Sequence, residues 1–239
     1  MGKERAVRIG MIAAAMVAAG VPAAAQDNSN ITGEVVVTGQ RASADYLSDE
    51  QTVVGLRRPA DSAIQPVKFT SDSRDSDVRK REIHAMIESA IRRADAAGVE
   101  LVTGEFELTK VTLANYRDLA FRNGGRPDTS EIAVYIKAKL GGSVGSAQSR
   151  IDNFVKGVPA EGRALIERRG AITLTIINPD QYRPEIVKLV ATEALKTAGA
   201  FGPDYGVEVA GLNEQLIWAQ ASATEVFLYI PYRFTVRPK

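Results

Sequence analysis

Residues 131–140 read Glu-Ile-Ala-Val-Tyr-Ile-Lys-Ala-Lys-Leu, the clearest strand pattern in the chain. Its apolar side chains recur at every second position, and the side chains between them are mostly charged or aromatic: the apolar set is Ile132, Val134, Ile136, Ala138 and Leu140. Such alternation is typical of an antiparallel strand with one buried and one wetted face, because buried parallel strands read as continuous apolar runs. The stretch therefore predicts an antiparallel sheet that is covered on one side only.

Helical patterns on either side of this strand supply the cover. Residues 71–77 offer N-cap chemistry for a helix that ends at Gly98, and the turn Asn178-Pro179-Asp180 leads into a second long helix. Their apolar stripes have helical spacing: Ile83, Ile87, Ala90, Ile91 and Ala94 in the first, and Ile186, Val187, Val190, Ala194 and Ala198 in the second. A shorter helix is predicted over residues 146–156. The predicted fold class is α+β, a mostly antiparallel sheet with helices packed on one face.

Three further expectations concern the strands. Residues 64–70 predict a strand in which Pro66 removes a ladder donor, which favours an edge position. Gly104 lies between strand residues of opposite phase and predicts a β-bulge.

Residues 98–101 and 206–209 read Gly-Val-Glu-Leu and Gly-Val-Glu-Val, each after a strand, a turn and a helix. This order predicts a duplicated strand-helix-strand-strand unit, although such units are common enough to coincide by chance.

The C-terminal residues 226–236 predict one long strand with a continuous apolar face. Its other face carries Phe227, Tyr229 and Arg233. Aromatic side chains directed away from a core often mark an interface, so these three residues are candidate interface residues. A second covering layer formed by the lead segment would explain the same pattern equally well.

The N-terminus has the pattern of a secretory signal peptide. Basic residues at the start precede an apolar run over residues 9–21 and the triplet Ala23-Ala24-Ala25. The run is shorter than the roughly 20 residues that span a bilayer, so cleavage after Ala25 is expected. The predicted organisation is a signal peptide at 1–25, a lead segment with one short strand at 26–60, and an α+β domain at 61–239. We expect the mature protein in the periplasm, with no transmembrane segment after cleavage.

Composition removes several function classes. The chain has no cysteine, one histidine and a net charge of +1, which excludes disulfides and a cysteine nucleophile and argues against a nucleic-acid partner. His84 and Glu88 lie one helical turn apart and could supply two metal ligands. Without a second histidine, a solvated polar face is the better interpretation. No phosphate-binding loop is present, so no cofactor is predicted.

Residues 141–145 read Gly-Gly-Ser-Val-Gly and match G-x-S-x-G between a predicted strand and a predicted helix. A nucleophile elbow lies at such a junction, which makes Ser143 a weak catalytic candidate. A hydrolase of this class carries its base histidine later in the chain, whereas His84 lies upstream in mid-helix. The favoured interpretation is therefore a glycine-rich turn with Ser143 as helix N-cap. An envelope serine hydrolase using Ser143 is the alternative.

Residues 34–41, Glu-Val-Val-Val-Thr-Gly-Gln-Arg, resemble the segment that opens the plug of TonB-dependent outer-membrane receptors. The chain is too short to hold both a plug and a 22-stranded barrel, whose strands alone need on the order of 220 residues. The segment is therefore interpreted as the first strand of the domain. An accessory protein of TonB-dependent uptake is the alternative.

The order of these elements resembles the SIMPL-domain family of secreted bacterial proteins, over most of residues 31–236. The matching pieces are a short strand at 35–39, Gly-Val-Glu-Leu-Val-Thr at 98–103, the strand at 132–140, Gly-Ala-Ile-Thr-Leu at 170–174, the turn at 178–180 and the closing strand at 226–236. The resemblance implies a non-enzymatic envelope protein of the oxidative-stress defence and immunogenic type, without cofactor. It also favours an interaction role over catalysis and a periplasmic location with outer-membrane association as a variant. The aromatic side chains of the closing strand then predict self-association or an envelope partner.

Overall fold

The structure is a computed structural model that describes residues 33–37, 54–105 and 107–239. The predicted signal peptide and most of the lead segment lie outside these ranges. The described residues form three α-helices: α1 Ser76–Ala94, α2 Val144–Gly157 and α3 Arg183–Gly199. The strands are β1 Glu34–Val37, β2 Gly55–Pro59, β3 Ser62–Ser71, β4 Glu100–Thr103, β5 Thr109–Lys110, β6 Arg122–Asn123, β7 Ser130–Lys139, β8 Leu165–Arg168, β9 Thr173–Ile177, β10 Tyr205–Ala210, β11 Ile217–Gln220, β12 Glu225–Tyr229 and β13 Arg233–Pro238.

The largest sheet is antiparallel and has β3 and β7 at its centre. Its order is β1-β9-β3-β7-β4-β5, with β8 beside β3 and β6 beside β7. The alternation of residues 131–140 is confirmed, because β7 buries Ile132, Val134, Ile136 and Ala138 and pairs with β3 over its whole length. The chain order β3-α1-β4-β7-α2-β8 with the spatial order β8-β3-β7-β4 is the split βαβ, or ferredoxin-like, arrangement.

Three helices pack against mostly antiparallel sheets, and the α+β fold class is confirmed. Helices α1 and α2 pack on β3 and β7, while α3 packs on β2, β10 and β13. One apolar core joins the sheet to all three helices. The predicted caps are also present: the Asp75 carboxylate accepts from the backbone N–H of Asp77 and of Val78, both at 2.9 Å. Asn178 has a φ of 44° and starts the turn before α3.

The large sheet curls until its two ends approach each other. Val35 in β1 forms a bridge with Glu107, and the backbone N–H of Leu108 donates to the carbonyl of Glu34 at 2.9 Å. The indole N–H of Trp218 donates to the carbonyl of Val36 at 3.2 Å. Because of this curl, the face away from the helices holds a small apolar cluster of its own: Val36, Ile64 and Val102, with Leu108 and Tyr135.

Two expectations about the sheet are wrong. Pro66 lies in the central strand β3 and not at an edge. Its missing donor falls between the pairing with β9, whose first residue Thr173 lies opposite Ile64, and the pairing with β8, whose last residue Arg168 lies opposite Val67. The Pro66 carbonyl accepts from the backbone N–H of Arg169 at 2.8 Å. Gly104 is not a bulge. It turns β4 into the hairpin with β5, at a φ of 131° where an added Cβ would lie 2.0 Å from the Glu107 carbonyl oxygen.

The predicted long C-terminal strand is two strands with different partners. β12 pairs with β11 and β2, whereas β13 pairs with β10. The break falls at residues 230–232, which include Pro231, a residue without a ladder donor. The lead segment thus contributes a second strand, β2, beside β12. The Gly-Val-Glu repeat has the same element order in both halves but different pairing, because β4 joins the large sheet and β10 does not.

Candidate functional site

Ser143 caps α2. Its side chain is exposed, its backbone is extended, and its Oγ accepts from the backbone N–H of Ser146 at 3.2 Å. His84 lies on α1 against the rings of Tyr116 and Phe121, with centroid distances of 5.7 and 5.1 Å. The hydroxyl therefore satisfies the first turn of a helix, and the N-cap interpretation is confirmed.

The predicted pair His84 and Glu88 is held by neighbouring side chains. The Glu88 carboxylate accepts from Arg92 at 2.7 Å and from the hydroxyl of Tyr116 at 3.1 Å. Burial, aided by the nearby charge of Arg117, lowers the pKa of His84 below its ordinary value. Its Nε2 is buried without a hydrogen-bond partner among the residues that the structure describes. Within those residues, no group of three or more histidines and carboxylates could hold a metal ion.

Inside the curl of the sheet, Lys137 bridges two carboxylates. Its Nζ lies 2.6 Å from Glu34 and 2.7 Å from Glu100, and Thr175 donates a hydrogen bond to Glu34. Burial disfavours the ammonium, but the hydrogen bonds that Lys137 donates to Glu100 and Glu34 outweigh burial and raise the pKa of Lys137. The hydrogen bond from Lys137 lowers the pKa of Glu100. Both changes keep the groups charged, so this cluster is suited to holding β1 on the sheet and not to proton transfer.

On the face that no described helix covers, which we call the uncovered face, the large sheet carries a cleft of about 650 Å³. Its floor is formed by β3 and β7 around the small, exposed side chain of Ala133. One wall is the end of β4 at Gly104 and Glu105, and the other is Arg122 with the turn that follows β6. Pockets that bind small ligands typically enclose about 300 to 1,000 Å³. The cleft, defined by these residues, is therefore large enough to hold a ligand or a segment of a partner.

Charges of both signs line the cleft. Lys68 lies 3.2 Å from Glu131 and 3.7 Å from Glu167, and Glu167 also pairs with Arg169 at 3.3 Å. Arg122 and Glu105 are exposed and form no ion pair with any residue in the described ranges. The unpaired guanidinium of Arg122 is thus available to an anionic group, because it can donate two parallel hydrogen bonds to a carboxylate.

The structure places the three predicted interface residues in different settings. Tyr229 is only 5% exposed, and burial raises the pKa of its hydroxyl. It stacks on the half-buried ring of Phe227 at 5.6 Å, and that ring lies over Gly55 of β2, where a Cβ would come within 2.5 Å of it. Arg233 alone is exposed.

A more exposed apolar surface lies at the C-terminal end of α3. Leu195 is 64% exposed and Phe201 is 60% exposed, and the ring of Phe201 lies 5.9 Å from that of Tyr205. These residues are not among the candidates that the sequence predicts. The signal was available, since Leu195 lies outside the apolar stripe of Ile186, Val190, Ala194 and Ala198 and follows Ala194 directly. We call Leu195, Phe201 and Tyr205 the α3 patch.

The cleft was also missed, for a different reason. Tyr135, Lys137 and Lys139 were correctly assigned to the face away from the core, but alternation within β7 does not reveal which strands flank it or where they stop. Comparison of the chain with protein-family models and with curated proteins found no match. None of the helices in the described ranges is long and apolar enough to cross a bilayer.

Proposed function

We propose that this chain is an exported SIMPL-type protein of the bacterial envelope, and that it acts by binding a partner and not by catalysis. The observation that carries the proposal is the cleft on the uncovered face of the large sheet. It combines an adequate volume, the small side chain of Ala133 on its floor and the guanidinium of Arg122, which has no ion pair in the described ranges, and this combination suits recognition. The role of Ser143 as the cap of α2 makes the hydrolase alternative less attractive.

We also propose that the protein resides in the periplasm, either free or associated with the outer membrane, and that it has a role in stress defence. These parts rest on the leader pattern of residues 1–25 and on the resemblance in element order. Self-association is also included. The α3 patch supports it better than Tyr229 does, because the exposed rings of Phe201 and Tyr205 lie close to each other, and neighbouring exposed apolar side chains often mark a protein contact.

Export and binding are tested together in cells that produce the protein. The protein is expected in the periplasmic fraction with an N-terminus at Gln26. Its native size in envelope extracts should exceed that of a monomer, and Ala133→Trp should reduce this size by filling the cleft. Lys139→Trp is the matched control, because Lys139 is exposed on the same face of β7 outside the cleft. Uncleaved protein in the inner membrane, or equal sizes for both variants, would count against the proposal.

A further inference from the structure

The cleft contains a gap in the hydrogen-bond ladder of β7. On the side away from β3, β4 pairs with β7 at residues 135–137 and β6 pairs with it at residues 130–131. Between these two pairings no described strand lies beside residues 132–134. Because β4 turns away at Gly104 and Phe121 packs inward against His84, neither neighbouring strand continues into the gap.

The backbone of Ala133 is directed into this gap. The carbonyl of Leu101 accepts from the backbone N–H of Val111, so the backbone groups of Leu101 are directed at β5 and away from β7. The backbone groups of its neighbour Val102 are therefore directed at Tyr135 of β7. Successive residues of a strand direct their backbone groups to opposite sides. Ala133, two residues from Tyr135, therefore presents its N–H and C=O on the same side as Tyr135, where the ladder is interrupted.

The gap admits the end of a chain but not a strand that runs through it. The rungs at Tyr135 and Glu131 are four residues apart, which is about 13 Å along β7 at 3.3 Å per residue. The end of β4 and Arg122 of β6 close the two ends of this interval. An extended segment that adds to the edge of β7 must therefore stop inside the gap. The guanidinium of Arg122, which has no ion pair in the described ranges, lies where such a segment would end.

We propose that the cleft binds the carboxyl-terminal end of an extended polypeptide. The last peptide unit hydrogen-bonds with the N–H and C=O of Ala133, as an added strand does, and the terminal carboxylate pairs with Arg122. The rest of the segment crosses the face over Ala133, between Tyr135 and Glu131. This inference rests on the proposed binding function and names the chemistry of the partner.

Fluorescence anisotropy with defined peptides tests the inference. The probe is a labelled hexapeptide of alternating threonine and valine with a free carboxyl terminus, and its C-terminal amide is the matched control. The free acid should bind, and the affinity of the amide should be lower by about tenfold or more. A loss of this size is typical when a charge-assisted hydrogen bond is removed. Arg122→Gln should weaken the free acid by a similar factor and leave the amide unchanged.

Substitution at the floor separates this inference from the proposed function. Ala133→Trp should abolish binding of both peptides, whereas Lys139→Trp should not affect either. Equal binding of the free acid and the amide, or competition by acetate as strong as by the peptide, would overturn the inference, as would no peptide binding at all. If the native size in envelope extracts still depends on Ala133 in those cases, the cleft binds another ligand and only the chain-end inference fails.

Discussion

Ser143 occupies a motif typical of hydrolases, yet its Oγ serves the first turn of α2. Ser143→Ala should lower the free energy of unfolding by about 1 kcal/mol, because the N–H of Ser146 loses its acceptor. Ser143→Asp should keep most of the stability, because aspartate is also a good N-cap. Urea denaturation of the three proteins measures this. An alanine variant of unchanged stability that no longer reacts with a fluorophosphonate probe would support the nucleophile instead.

His84 should make stability depend on pH in a narrow range. Burial lowers its pKa in the folded state below the ordinary value of 6.5, so the unfolded chain binds a proton first as pH falls. Stability is therefore fully present above about pH 6.5 and decreases as pH falls towards the lowered pKa. Glu88 and Glu100 have ordinary values of 4.5 and affect stability only at lower pH.

Thermal melting between pH 7.5 and 5 tests this prediction, because His84 is the only histidine. His84→Leu should remove most of the pH dependence in that range, since leucine also packs against Tyr116 and Phe121. A melting temperature that falls equally for the wild type and for His84→Leu would contradict the assignment.

Lys137 holds the strand β1 on the sheet through its ion pair with Glu34. Lys137→Met should cost about 2 to 4 kcal/mol, between the values for exposed and buried ion pairs, because Glu34 and Glu100 lose their shared cation. Lys139→Met, which removes an exposed cation without an ion pair in the described ranges, should change stability by less than about 0.5 kcal/mol. Chemical denaturation gives both values, and equal effects would show that the cluster does not hold β1.

At the scale of elements, the gap beside β7 predicts where the sheet tolerates proline. Ala133→Pro removes a donor that has no ladder partner, so the variant should fold with a melting temperature close to that of the wild type. Tyr135→Pro removes a donor directed at β4 and should be strongly destabilised. Circular dichroism during heating compares the two variants. Equal loss of structure in both would show that the ladder is not interrupted at Ala133.

The sequence predicted elements better than it predicted their neighbours. β7 and the three helices follow from local periodicity and capping, which act within a few residues. Pro66 fits in a central strand because the pairings of β8 and β9 with β3 stop on either side of it. The residues of β8 and β9 at these two positions lie about 100 residues later in the chain. The division of residues 226–236 into β12 and β13 depends likewise on β2 and β10, and apolar alternation continues through the break.

For the molecule as a whole, the candidate site also depends on which distant strands become neighbours, and local sequence patterns do not reveal this. Ser143 and His84 are conspicuous in the sequence, whereas the cleft is assembled from β3, β4, β6 and β7 and from strand ends that no local pattern marks. Its lining mixes charged side chains with glycines and Ala133, and such residues carry little signal in a single sequence. Helices α1 and α2 lie on one face of the large sheet, no described helix packs on the other face, and the curl of the sheet makes that other face concave.

The most direct test of binding through the cleft is site-specific photo-crosslinking in living cells. A photoreactive amino acid is placed at Ala133 or, as control, at Lys139, and adducts are separated after illumination. We predict a discrete adduct from position 133 that disappears when Arg122→Gln is added, and no such adduct from position 139. Adducts of equal yield from both positions, or none from position 133, would contradict the claim that the uncovered face of the sheet is the functional surface.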